Sequence, residues 1–204
     1  MALRTGIIIP FDVEEGPPVA PPLDVPFINK IRSKWCWAAC TGMVLRFLHE
    51  PFNHMTDLEL LCYLAQLSVH GTSGDCCYEG ACNKTLKPSQ IDSLWRKINI
   101  VAENLIIDPD FRKPHNRPSI DDLVSEIQNK DLPVEVSFES GSTGHVVILY
   151  GSKQEGGIWH FFRHDPDDPV ASTMTISQDV LTSTERPDPW KHTWLRLKFV
   201  EMPG

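Results

Sequence analysis

The sequence predicts an α+β protein in which a central helix near the N-terminal end packs on a mostly antiparallel β-sheet. Three observations predict it. Residues 37–49 are apolar on almost every side, capped helical segments follow as far as residue 127, and from residue 133 the pattern changes to short strands. A length of 204 residues fits one domain with a substantial core.

The elements follow in order. Residues 10–26 hold Pro10, Pro17, Pro18, Pro21, Pro22 and Pro26, so this arm is extended and forms neither a helix nor a central strand. We divide the chain into a Pro-rich arm, 1–23, and a folded domain, 24–204. The arm is a solvated or wrapping linker, or a short processed segment. Trp37 to His49 is helical and must be buried, and Pro51 ends it. Thr56 with Glu59 forms a capping box that opens a second helix through about Ala65. Residues 70–88 are a Gly- and Cys-rich loop. Pro88-Ser89 opens a third helix with Ile91, Leu94, Trp95 and Ile98 at helical spacing, and Ser119 with Asp122 a fourth ending near Ile127. Strands are expected at 133–138, 145–150, 158–163, 173–176 and 193–200.

Charge and hydropathy exclude several functions. With 19 Lys+Arg against 27 Asp+Glu and a net charge of -8, the chain is no candidate for nucleic acid or an anionic membrane surface. No apolar stretch approaches the ~20 residues of a membrane span. The three isoleucines before Pro10 are too few for the core of a secretory signal, so the expected location is cytoplasmic, or outside the cell by a leaderless route.

The candidate chemistry centres on Cys36. It sits at the head of the central helix, where unsatisfied N–H groups and the macrodipole favour an anion, and a thiolate is the nucleophilic form of cysteine. Trp35 and Trp37 flank it and point to a fixed, partly apolar cleft. Among eight histidines, His145 follows the small-residue loop Gly141-Ser142-Thr143-Gly144 and opens the apolar strand 146–150. A cysteine nucleophile needs such a base, and the base needs an orienting group. A hairpin centred between Gln154 and Glu155 sets residue 145 opposite 164, next to Asp165, which can then fix the imidazole tautomer. His164 competes from the other side of the strand, and Asp167 and Asp168 are alternative acids.

Cys62, Cys76, Cys77 and Cys82 lack the paired-ligand gap of a Cys₄ zinc site, so disulfides or buried thiols are expected and no metal. Cys40, one turn beyond Cys36, reads as core packing or as a resolving thiol for an oxidised Cys36.

Ser33-Lys-Trp-Cys-Trp-Ala-Ala-Cys40 resembles the nucleophile motif of bacterial papain-like cysteine peptidases of the C39/C70-like, AvrRpt2-type group. Gly144-His145-Val-Val-Ile-Leu-Tyr-Gly151 is similar to the histidine strand of that group, and Trp159…His164-Asp165-Pro166 to its acid motif. Leu132 to Val136 resembles the strand before the histidine, and Cys76-Cys77…Cys82-Asn83 the group's cysteine loop.

The resemblance implies a papain-like fold and peptide-bond hydrolysis of a protein or peptide substrate by Cys36, His145 and Asp165, without cofactor. It also implies a bacterial effector or toxin with a possible cognate inhibitor or immunity protein. The group's oxyanion-binding Gln, six residues before the nucleophile, is Lys30 here, with Asn29 beside it, and either side chain can donate a hydrogen bond. The same triad supports deamidation or acyl transfer, and an inactive papain-like binding module is the third reading.

Overall fold

The three longest helices precede every strand in the computed structural model, which describes residues 20–68, 75–78, 80–101, 105–107, 110–112, 118–140, 143–171, 174–183, 189–195 and 199–201. Most of the Pro-rich arm therefore lies outside the described residues. The arm's last part is anchored: the Leu23 N–H donates to the Tyr150 carbonyl at 2.8 Å, and Pro22 lies so close to Gly151 that a β-carbon there would sit 2.8 Å from the Pro22 ring.

Helix α1, Cys36–Leu48, buries every residue from Cys36 to Leu45, as a helix apolar on all sides must. Pro51 lies in the 3₁₀ turn Glu50–His54 that follows. Helix α2, Asp57–Ser68, starts at the expected box: the Thr56 N–H donates to Glu59 Oε2 at 2.8 Å, and the Glu59 N–H donates to Thr56 Oγ1. It runs one turn past Ala65. Helix α3, Pro88–Val101, buries Ile91, Leu94, Trp95 and Ile98. Helix α4, Ile120–Val124, carries the Ser119/Asp122 capping box and continues as one π-helical turn, Ser125–Asn129.

The strands are β1 (Leu105–Ile107), β2 (Asp110–Arg112), β3 (Val134–Ser140), β4 (Thr143–Glu155), β5 (Ile158–His164), β6 (Thr175–Ser177), β7 (Trp190–Leu195) and β8 (Phe199–Glu201). Six form an antiparallel sheet in the order β2-β7-β3-β4-β5-β6, and β1 pairs with β8 apart from it. The expected strand 193–200 is thus two strands in two sheets. Strands β1 and β2, of three residues each, are too short for periodicity to reveal, and so is helix α5, Gln178–Thr182, capped by Ser177.

The hairpin of β4 and β5 turns elsewhere than expected. Its turn is Gly156-Gly157, both at positive φ (58° and 80°), with Glu155 opposite Ile158. Glycine adopts that conformation without the steric cost other residues meet, and it matches the strand twist, so this pair takes the turn from Gln154-Glu155.

Strand β4 is shared by two cores. Val146, Ile148 and Tyr150 face α1, α2 and α3, whereas Val147 and Leu149 face a second cluster with Val136, Phe138, Phe161, Leu123 and Leu181. Alternation on β3 turns Glu135 toward the helices, where it is 0% exposed. Its Oε2 accepts from the Trp95 indole N–H at 3.0 Å, and its Oε1 has no partner among the described residues. Burial pushes this carboxyl up to about 8, against the smaller opposing effect of the Trp95 hydrogen bond.

The folded state therefore holds a proton on Glu135 that the unfolded chain releases near 4.5. Stability from this group falls as pH rises from about 4.5 to about 8. Glu135→Gln keeps an acceptor for Trp95 and cannot ionise. Its thermal midpoint is expected to pull ahead of wild type as pH rises through that window, measured by calorimetric melts from pH 5 to 9. A gap that stays constant with pH would contradict the assignment.

Candidate active site

Cys36 is the first residue of α1, one position further into the helix than its sequence placed it. The N-cap, Trp35, supplies no side-chain acceptor to the helix N–H groups and the first turn carries no acid, so the positive end of the helix is left to the thiol and whatever binds beside it. The tryptophans on either side are buried, 0% and 1% exposed. Their indole N–H groups donate to the carbonyls of Cys82 (2.9 Å) and Lys84 (3.0 Å).

That loop is braced by disulfides Cys62–Cys77 and Cys76–Cys82, which answers the question the four cysteines posed. Asn83 completes the clamp, accepting from the Lys34 N–H at 3.0 Å and donating to Ser33 Oγ at 3.1 Å, while Arg32 donates to the Cys77 carbonyl at 2.7 Å. Neither hydropathy nor spacing marked Asn83; its one signal was its place after Cys82. Cys40 is a buried free thiol that donates to the Val146 carbonyl at 3.2 Å, and burial holds its pKa well above the ordinary value.

His145 enters the site from β4. Its Nε2 lies 2.8 Å from Asp165 Oδ1, and the Cys36 thiol is within its hydrogen-bonding reach. A carboxylate only accepts, so Nε2 carries the proton toward Asp165 and Nδ1 is the nitrogen left for the thiol. Burial would lower the imidazole pKa, but hydrogen bonds and charge from Asp165 and Cys36 outweigh it and raise it to about 10. For Asp165, burial acts against the charge, and His145, the Asp167 N–H (3.0 Å) and Arg163 (3.1 Å) overcome it, leaving the carboxyl below its ordinary range.

The meeting of His145 and Asp165 depends on an irregularity the sequence reading missed. The β4–β5 ladder slips by one residue at Tyr150: Leu149 pairs with Arg163, but Gly151 pairs with Phe162. Carried one residue past Ile148↔His164, this register sets Asp165 opposite Val147, diagonal to His145 on the same face. Without the extra residue Asp165 would oppose Ile148, an odd number of positions from His145 and on the other face. His164 instead points toward α1, with Nε2 2.9 Å from the Val25 carbonyl and its ring stacked 4.1 Å from that of Tyr150.

Lys30 and Asn29 both attach to the turn that carries Asp165. The Lys30 ammonium pairs with Asp167, the Lys30 N–H donates to the Pro166 carbonyl (3.3 Å), and Asn29 Nδ2 donates to that of Pro169 (2.9 Å). Beside Cys36 a small cleft is walled by Trp37, Leu86, Ile91 and Val146, with Thr85, Ser137 and Glu139 among its polar members. A larger recess of about 250 Å³ shares Trp37, Thr85 and Leu86 with it and reaches Ser68, Lys84 and Gln90.

With this geometry in place, comparison with known families matches residues 21–180 to the profile of papain-like cysteine proteases of the AvrRpt2 type, Peptidase C70. The chain belongs to this family. It is therefore a papain-like cysteine protease, a hydrolase, and its helices packed on an antiparallel sheet are the fold that the resemblance implied. No curated protein matches the chain significantly. Among the described residues no helix is long and apolar enough to cross a membrane.

The protease's cysteine loop yields a stability test. Cys62–Cys77 closes a sequence separation of 15 residues, for which loop entropy alone amounts to about 3 kcal/mol. Cys62→Ser with Cys77→Ser is expected to lower the unfolding free energy by roughly that amount in urea titrations. A loss well under 1 kcal/mol would mean the loop is held by its hydrogen bonds to residues 32–37 instead.

Proposed function

We propose that the protease cleaves peptide bonds of a protein substrate through a thioester on Cys36, with His145 as proton carrier and Asp165 as the acid that orients it. One observation carries the reading: His145 Nε2 lies 2.8 Å from Asp165 Oδ1, and the Cys36 thiol is within hydrogen-bonding reach of the same ring. An imidazole with a pKa near 10 is protonated at neutral pH and is the partner that keeps a nearby cysteine as thiolate.

In the first half-reaction the Cys36 thiolate adds to the scissile carbonyl carbon. The oxyanion is held by N–H groups at the start of α1, where no side chain competes for them. Collapse expels the amine, which takes the proton from His145 Nδ1 and leaves the acyl group on Cys36. Neutral His145 then removes a proton from water, water adds to the thioester, and the acid product leaves with the thiolate–imidazolium pair restored. Asp165 holds Nε2–H throughout and stabilises each imidazolium.

The substrate is read as a protein of another cell, with this chain as a delivered effector or toxin; the support is the resemblance to AvrRpt2-type proteases. Cys36→Ala is expected to abolish the appearance of new N-termini in a treated proteome. Mass shifts at glutamine side chains or new adducts without new termini would replace hydrolysis by deamidation or acyl transfer.

His145→Ala is expected to lower kcat/KM by roughly 10²–10⁴-fold. Asp165→Asn removes the main force holding the imidazolium, so the alkaline limb of activity, set by the pKa of about 10, moves to lower pH. An unmoved limb in pH–rate profiles of Asp165→Asn would reject Asp165 as the orienting acid.

A further inference from the structure

Two carboxylates, not one, stand at the imidazole. A ring nitrogen of His145, an oxygen of Asp165 and an oxygen of Asp167 all lie within 4.8 Å of one another. Opposite charge at that range favours an imidazolium, so an unpaired Asp167 would compete with Asp165 for His145 and pull its proton away from the line joining thiol and Asp165. The structure prevents this with a cation from a different part of the chain, the Lys30 ammonium.

We propose that Lys30 is a positioning residue: by neutralising Asp167 it leaves Asp165 as the one acid of this turn that bears on His145. The inference rests on the triad reading above and concerns the position where AvrRpt2-type proteases usually carry an oxyanion-binding Gln. The attachment is more than an exposed ion pair. Lys30 is joined to the same turn through its backbone N–H to Pro166, and its neighbour Asn29 binds Pro169, so the ammonium is delivered to Asp167 by a fixed segment. Asp167 in turn donates its own N–H to Asp165 Oδ1, coupling the neutralised acid to the orienting one.

The charges facing the imidazole then balance in three pairs. Cys36 from α1 stands with His145 from β4, Arg163 from β5 with Asp165, and Lys30 with Asp167. Glu139 from β3 lies across the cleft opposite Gly144. Removing Lys30 leaves one negative charge in excess near the ring, and removing the charge of Asp167 leaves one positive. The two changes therefore shift the same titrations in opposite directions, and together they cancel.

The test uses the full chain, with iodoacetamide as the probe of the Cys36 thiol and ¹⁵N-histidine NMR as the probe of His145. Neither measurement involves an oxyanion. In Lys30→Met both the acid limb of alkylation and the His145 titration are expected to move up by about half a pH unit, given the part-exposed position of Asp167. Asp167→Asn moves both down, Lys30→Arg leaves both in place, and Lys30→Met with Asp167→Asn returns them to the wild-type position. Peptide turnover, low in Lys30→Met, recovers in that double variant.

A different pattern would overturn the proposal. If Lys30 donates to the oxyanion, Lys30→Met loses roughly 10²–10³ in turnover, the alkylation profile stays where it was, and the double variant is as slow as the single. Unmoved titrations in both single variants overturn it equally. Failure of Cys36 to alkylate preferentially in the wild-type chain would instead strike the triad reading itself.

Discussion

The packing of the head of α1 against the open edge of β4 is the constraint on which the rest of the site depends. Residues 143–147 of β4 pair with β3 alone, because β5 begins its ladder only at Ile148. The carbonyls on that unpaired side are met by the helix: Gly144 lies 4.0 Å from Cys36 Sγ, and Val146 accepts from Cys40. One turn of helix thus satisfies a sheet edge and, by the same contact, brings a thiol at the positive helix end to a histidine on the strand. The length of β5 is in that sense a functional dimension. Carried further, it would cover the edge that α1 occupies.

Both sides of this contact are held from outside. On the helix side, two disulfides brace a loop whose carbonyls receive the indoles of Trp35 and Trp37, so the residues flanking Cys36 are fixed by hydrogen bonds as well as by burial. On the strand side, the segment from Pro22 to Lys30 ties the fold together. It bonds to Tyr150 at Leu23, to His164 at Val25 and to the acid turn at Asn29 and Lys30. A buried tryptophan whose N–H had no acceptor would be costly, which is why an irregular loop can serve as a rigid wall.

Much of this was legible in the sequence where the signal is local. The buried helix was readable from its uninterrupted apolar run, α2 and α4 from capping boxes that the structure contains, and Cys36 from its place at a helix head. The pairing of His145 with Asp165 was expected, but from a hairpin register that is wrong by three to four positions. The diagonal contact arises because the bulge at Tyr150 restores the parity that the displaced turn would have lost. The short strands β1 and β2 and the split of the last expected strand into β7 and β8 went unread, since three residues carry no measurable period.

By itself, then, the sequence determined that the fold is α+β and which residues are candidates for the chemistry, because helix burial, capping and motif order are written in neighbouring residues. Tertiary structure alone decided how those residues meet. Whether Asp165 or His164 faces His145 depends on one extra residue in a ladder, and whether Lys30 reaches an oxyanion or an aspartate depends on a turn 137 positions away (Lys30 to Asp167). Such choices are set by the geometry of distant segments, and no window of neighbouring side chains contains them.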